Sequence, residues 1–158
     1  MQKITTYLWF DNQAEEAAEF YTSLFADSRI VEVQRYTEGG RGSAGQAMLV
    51  TFELAGQRFH ALNGGPQYTF NEATSLYVDC GSQEEVDELW DKLTDGGEES
   101  QCGWLKDRYG LSWQIVPRAM QELMSVPDPA AAQRVVQAML GMRKIDIKGL
   151  EDAAKGVS

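Results

Sequence analysis

The sequence predicts an α+β fold made of two βαβββ modules and a helical tail. Three observations predict it. First, a strand-like stretch ending Tyr7-Leu8-Trp9-Phe10 leads into Glu15-Glu16-Ala17-Ala18-Glu19-Phe20-Tyr21, and Leu76-Tyr77-Val78 leads into Glu84-Glu85-Val86-Asp87-Glu88-Leu89-Trp90. Leu24 and Leu93 follow at matched spacing. Acidic and apolar positions coincide together, which duplication explains better than a chance likeness of two amphipathic helices. Second, each copy is followed by short strand-like runs separated by turn residues. Third, the chain after Pro117 turns helical and has no counterpart in the first half.

Ile4 to Phe10, β-branched and aromatic, reads as a buried strand. Asp11 or Asn12 then caps a helix from Ala14 to Phe25, whose Ala17, Phe20, Tyr21, Leu24 and Phe25 share one face. Ile30 to Tyr36 alternates as a strand. Glu38 to Gly45 holds four glycines and reads as a mobile loop. Gln46 to Leu54 and Gln57 to Leu62 flank Ala55-Gly56 as a hairpin. From Asn63 to Ala73 the chain reads as a linker.

The second copy repeats this order. Ser75 to Asp79 is a strand, and Gln83 to Thr94 a helix stopped by Gly96-Gly97. Glu99 to Cys102, Trp104 to Lys106 and Ser112 to Val116 are shorter strands, with Arg108-Tyr109-Gly110 turning between the last two. In the tail, Arg118 to Ser125 and Ala130 to Met142 are helical, with Asp128 as N-cap and Pro129 at the first position. A last helix starts near Asp146. The row Val135, Met139, Leu140 and Met142 needs a surface to pack on, the sheet or a second subunit. Residues 1–117 thus read as one domain of paired modules (1–66 and 73–117), and 118–158 as a helical appendage.

At 158 residues the chain suits one domain with a sizeable core. Its net charge of −10, without a basic run, argues against nucleic acid and against an anionic membrane surface. No apolar stretch reaches membrane-spanning length, and no signal-peptide pattern opens the chain. Cys80 and Cys102 make neither a metal spacing nor a disulfide framework, so the expectation is a reduced, cytoplasmic protein.

A doubled βαβββ unit resembles the vicinal oxygen chelate superfamily of glyoxalase I, bleomycin-resistance proteins and extradiol dioxygenases. The closer resemblance is to its PhnB-like branch, often labelled 3-demethylubiquinone-9 3-methyltransferase. The stretches that carry it are Tyr7 to Asp11 with Glu16-Ala17 and Phe20-Tyr21, Leu62 to Pro66, Cys102 to Asp107, Tyr109 to Pro117 and Met142 to Ile147. The block from Cys102 to Pro117 is the most specific. The resemblance implies sheets that curve around a cavity. It lends little to the methyltransferase label, because no glycine-rich loop after a first strand feeds a Rossmann-type helix.

In metal-using members, each half offers a ligand from its first strand and one from its last. By resemblance these positions fall at or near Thr6, within Ala73-Thr74-Ser75, and at His60 and Gln114, which Gly56 aligned with Gly110 sets opposite each other. A divalent cation wants three or more His, Asp, Glu or Cys, so no metal and no cofactor is expected. A one-residue slip in register would turn Phe59 or Trp113 inward instead.

His60, the lone histidine, is an acid–base candidate or a strand histidine bonded to a backbone carbonyl. Gln114 either binds a ligand carbonyl or hydroxyl, or pairs with backbone. Trp9, Trp104, Trp113, Tyr77 and Phe52 are pocket-wall candidates or plain core, with Trp104 the leading one. Asn63-Gly64-Gly65 presents backbone N–H groups to a ligand or simply turns the chain. Cys102 reads as an inert thiol, Lys106-Asp107-Arg108 as a solvated turn, and the acidic runs as outer helix faces.

The functional expectation is a metal-independent small-molecule-binding protein in which His60, Gln114, Trp104, Trp9, Thr6 and Tyr77 contact the ligand. The alternative is an enzyme (a lyase, an isomerase or a methyltransferase-labelled homologue) using His60 as acid or base, or a metal not evident from the residues. Open sheet edges and the apolar tail suggest a homodimer.

Overall fold

Gln2 decides where the first strand begins. Its side-chain amide donates to the carbonyls of Ile4 (2.9 Å) and Arg58 (3.0 Å) and accepts from the Arg58 N–H (3.0 Å). A side chain thus takes the backbone groups that a longer strand would pair, and β1 spans Thr6–Phe10 rather than starting at Ile4, which is 86% exposed. The computed structural model describes residues 2–38 and 43–157. Most of the expected glycine loop, 39–42, lies outside them.

Four further elements complete the first copy: α1 (Ala14–Leu24), β2 (Arg29–Arg35), β3 (Ala47–Leu54) and β4 (Gln57–Asn63). They form a sheet of order β1-β4-β3-β2, in which β1 runs parallel to β4 and the other pairs are antiparallel. Ala55 and Gly56 close the β3–β4 hairpin with φ of 49° and 83°, the two positive values a type I′ turn needs. Leu8, Phe10, Val50, Phe52, Phe59 and Ala61 are buried on one face. Phe52 stacks on Phe59 with centroids 5.6 Å apart and meets Tyr21 of α1 at 6.4 Å. That face is therefore the helix-covered core, and Phe52 belongs to it rather than to a pocket wall.

α1 lacks the expected cap. Neither Asp11 nor Asn12 caps it; the N-cap residue is Gln13, whose side chain makes no capping bond. Instead the Ala14 N–H donates to Oδ1 of Asn63, 2.8 Å away and 49 residues along the chain. The Asn63 amide in turn donates to the Ala47 carbonyl at 2.9 Å. Asn63 is thus the buried end of β4, not the start of a linker.

The second copy holds β5 (Ser75–Cys80), α2 (Gln83–Thr94), β6 (Glu98–Glu99), β7 (Trp104–Lys106) and β8 (Ser112–Pro117) in the order β5-β8-β7-β6. Its helix caps locally. Ser82 Oγ accepts from Glu85 N at 3.2 Å, and Glu85 Oε1 accepts from Gly81 N at 2.8 Å. β6 is shorter than the Glu99–Cys102 strand expected. Cys102 and Gly103 adopt φ of 59° and 85°, and their N–H groups donate to the carbonyls of Met142 and Arg143 in the tail. Lys106-Asp107-Arg108 is not a simple solvated turn. Asp107 is buried; its Oδ1 accepts from the N–H groups of Tyr109 and Leu111, and its Oδ2 from Trp113 Nε1 at 2.9 Å. Trp113, 1% exposed, is core.

The tail forms α3 (Arg118–Met124), α4 (Pro129–Leu140) and α5 (Ile147–Lys155). Asp128 caps α4 through the Ala130 N–H at 3.1 Å, with Pro129 at its first position. Val116, Met120, Val135, Ile145 and Leu150 form a buried cluster, flanked by Met139 and Met142. Leu140 does not join that row; it is exposed. Gln83 at the start of α2 donates to the Ile145 carbonyl and accepts from the Ile147 N–H. By its contacts the chain divides into two compact units, Met1–Thr69 and Phe70–Ser158, so the tail shares a unit with the second copy. The α+β class and the doubled βαβββ order are those the sequence predicts. Among the described residues no helix is long and apolar enough to cross a membrane.

Candidate functional site

Side chains alternate across a strand, so register assigns each residue to a face. In the first unit Tyr7 pairs with His60, and His60 with Thr51. These three share the face opposite α1. His60 Nδ1 lies 3.0 Å from Thr51 Oγ1, and the Tyr7 and His60 rings sit 4.6 Å apart at 39°. The expected backbone-carbonyl partner of His60 is therefore replaced by a hydroxyl. Burial, and then the nearby Arg58 charge, push the His60 pKa below its ordinary value, which favours the neutral ring. Thr6 pairs with Phe59 and stands on the α1 face, away from His60. Tyr7, not Thr6, is the β1 side chain that His60 meets.

The same register recurs in the second unit. Tyr77 pairs with Gln114, and Gln114 with Trp104. Gln114 thus occupies the place of His60, and Tyr77 that of Tyr7. Gln114 Nε2 donates to Ser75 Oγ at 3.0 Å, a side-chain partner rather than backbone. The Tyr77 hydroxyl accepts from Gln121 Nε2 of α3 at 2.5 Å, and Arg118 of the same helix pairs with Asp79 at 2.8 Å. Burial raises the Tyr77 pKa, so its hydroxyl stays protonated at neutral pH.

A concave hollow of about 560 Å³ opens in the first unit, with Tyr7, Trp9, Tyr36, Met48 and Leu62 among its lining residues. Asp11 and Asn63 are among its polar lining residues. Trp9 Nε1 donates to the Gly65 carbonyl at 2.9 Å, and Tyr68 packs edge-on against the ring at 4.9 Å. Gly64 leaves the space the indole fills: a Cβ there would come within 2.3 Å of Trp9 Cζ2. The Gly64 and Gly65 N–H groups donate to the carbonyls of Phe10 and Asp11, so they turn the chain and do not face a ligand. Of the expected contacts, Trp9 lines this hollow and His60 backs it through Tyr7. Gln114, Trp104 and Tyr77 lie together on one face of the second unit's sheet. Tyr7, Tyr36 and Met48 escaped the sequence reading. For Tyr7 a signal existed: it is the β1 neighbour that parallel pairing gives to His60.

Of the positions expected from the resemblance, His60 and Gln114 hold equivalent places in the two sheets, Thr6 faces the core, and Ser75 accepts from Gln114. Among the described residues no three His, Cys, Asp or Glu come together. Both cysteines are free, and burial pushes the Cys80 thiol up to about 12.

Residues 2–116 match the family model described as 3-demethylubiquinone-9 3-methyltransferase. The PhnB protein of Bacillus cereus is 43% identical, with the match covering 73% of this chain and 99% of that one at a TM-score of 0.70. A Pseudomonas aeruginosa protein is 18% identical over 74% of this chain and 98% of its own, TM-score 0.61. The genomically encoded fosfomycin resistance protein FosX of Listeria monocytogenes is 14% identical over 77% and 94%, TM-score 0.52. The latter two speak to the fold alone. No curated protein matches the chain.

Proposed function

Since this chain belongs to the 3-demethylubiquinone-9 3-methyltransferase family, the PhnB-like branch of the glyoxalase and bleomycin-resistance superfamily, we propose that it binds a small ring-bearing molecule without a metal. The observation that carries this reading is the hollow of about 560 Å³ walled by Tyr7, Trp9, Tyr36 and Met48. Aromatic walls with few polar groups suit a flat apolar ligand, and one titratable side chain beside them serves orientation better than multi-step chemistry. In this reading Trp9 and Tyr7 stack on the ligand, and His60 holds Tyr7. Gln114, Tyr77 and Trp104 form the matching face of the second unit. The reading takes the fold of the family and not its methyltransferase name, because each sheet pairs one parallel with two antiparallel ladders and neither is an open parallel nucleotide-binding sheet. The partly exposed tyrosines Tyr7 and Tyr77 on open sheet faces support a homodimer as its working form.

Thermal shift against a panel of phenols and aromatic acids tests the ligand class, since a molecule that binds only the folded state raises the melting temperature. Hits should persist after chelation and vanish in Trp9→Ala and in Gly64→Ala, whose new methyl evicts the indole. Stoichiometric zinc, nickel, iron or manganese that is lost on His60→Ala overturns the metal-free reading. A second reading, an enzyme with His60 as general base, draws on one observation: Thr51 holds Nδ1 while burial favours the neutral ring. Turnover of a bound phenol or carbonyl compound, abolished in His60→Gln with binding intact, would favour it.

A further inference from the structure

On the outer face of the second sheet, Glu98, Lys106 and Ser112 stand in one cross-strand row over β6, β7 and β8. A small hollow of about 250 Å³ lies over them, bordered also by Glu72, Glu99 and Trp104. Two carboxylates, Glu72 and Glu98, face one ammonium there, whereas the side chain of Glu99 turns to the α2 face. Lys106 is ion-paired with Glu72. Glu99 accepts from Trp90 Nε1 at 2.7 Å and lies 3.6 Å from Arg143. Glu98 forms no ion pair among the described residues, although its charge reaches Lys106.

Ser112 adds an independent sign. It is 1% exposed, and its Oγ has no hydrogen-bond partner among the described residues. A buried hydroxyl left unpaired is costly and uncommon, so its place in the lining of the hollow marks a position for a hydrogen-bonding ligand atom. The excess negative charge gives that atom its sign. The half-buried indole of Trp104 offers a face for the methylenes and charge of an organic cation.

We propose that this hollow binds a small organic cation carrying a primary ammonium group. The ammonium donates to the Glu98 carboxylate and to Ser112 Oγ, and its carbon chain lies against Trp104. The cation competes with Lys106 for Glu72. The site lies wholly within the second unit and shares no lining residue with the aromatic hollow of the first, and Glu98 and Ser112 have no part in the reading of that hollow.

The test titrates 1,4-diaminobutane into the full-length protein at low ionic strength, read by calorimetry and tryptophan fluorescence. Saturable binding is expected, weakened about tenfold in Glu98→Gln, the loss of one charge-assisted hydrogen bond. Ser112→Ala should also weaken it while leaving the melting temperature equal or higher, because the hydroxyl it removes has no partner to lose. Lys106→Met should strengthen binding by freeing Glu72. Butanedioate, of the same length and opposite charge, should not bind. Absence of saturable diamine binding overturns the proposal, and so does an affinity unchanged in Glu98→Gln. Butanedioate binding that disappears in Lys106→Met overturns it too, since the hollow would then be an anion site. If Ser112→Ala fails to fold, the exposed substitution Glu98→Gln decides alone.

Discussion

The two copies of the βαβββ unit solve the same problems with different chemistry. In the first, α1 is capped from a distance by Asn63, a buried amide at the end of β4. In the second, α2 is capped by its own neighbour Ser82. In the first, Tyr7 lies against His60, and an aromatic hollow opens beside them. In the second, Tyr77 faces Gln114 and is tied down by Gln121 of the tail, while Val116 of the same sheet is buried by tail helices. One scaffold thus carries an open face with a histidine and a partly covered face with a neutral amide in the histidine's place. Duplication preserves the backbone ladder, which depends on alternation alone, and leaves side chains free to diverge where they do not face the helix.

The core positions give the sharpest way to break this comparison. Phe59 and Trp113 occupy equivalent places by register. Trp113→Ala should destabilise the protein by about 3–5 kcal/mol, and by more than Phe59→Ala, because it also strips Asp107 of the indole donor. Urea unfolding monitored by circular dichroism measures both. Equal losses would mean that the Asp107–Trp113 bond adds nothing beyond packing.

The caps come next. Asn63→Ala removes two hydrogen bonds from a buried site and should cost about 2–3 kcal/mol, whereas Ser82→Ala, at an exposed local cap, should cost about 1 kcal/mol. The same unfolding curves read this difference. A larger loss from Ser82 would reverse the assignment of distant and local capping.

The smallest effect is the pH response of the histidine that distinguishes the two faces. Folding lowers the His60 pKa from its ordinary 6.5, so between that value and the lower folded one the unfolded chain holds more protons. The stability from neutral His60 is therefore complete above 6.5 and is lost as pH falls through the folded pKa. His60→Gln, which copies the residue of the second unit, should flatten this slope between about pH 5 and 7. Identical slopes for the two proteins would place the titration elsewhere.

The repeat, the order of strands and helices, the span of α2 and the Ala55-Gly56 turn were readable along the chain, because each rests on local rules: periodicity, capping by neighbours and positive φ in a two-residue turn. The equivalence of His60 with Gln114 followed from turn alignment alone, since alternation carries a register along a strand. What local rules miss is any partner distant in sequence. The cap on α1, the tail carbonyls that take the N–H groups of Cys102 and Gly103, the burial of Asp107 and the meeting of Tyr7 with His60 all join residues distant along the chain. Tertiary structure decided those, because a hydrogen bond or ring contact depends on distance in space. The amino-acid order by itself determines only which face and which element each residue can reach.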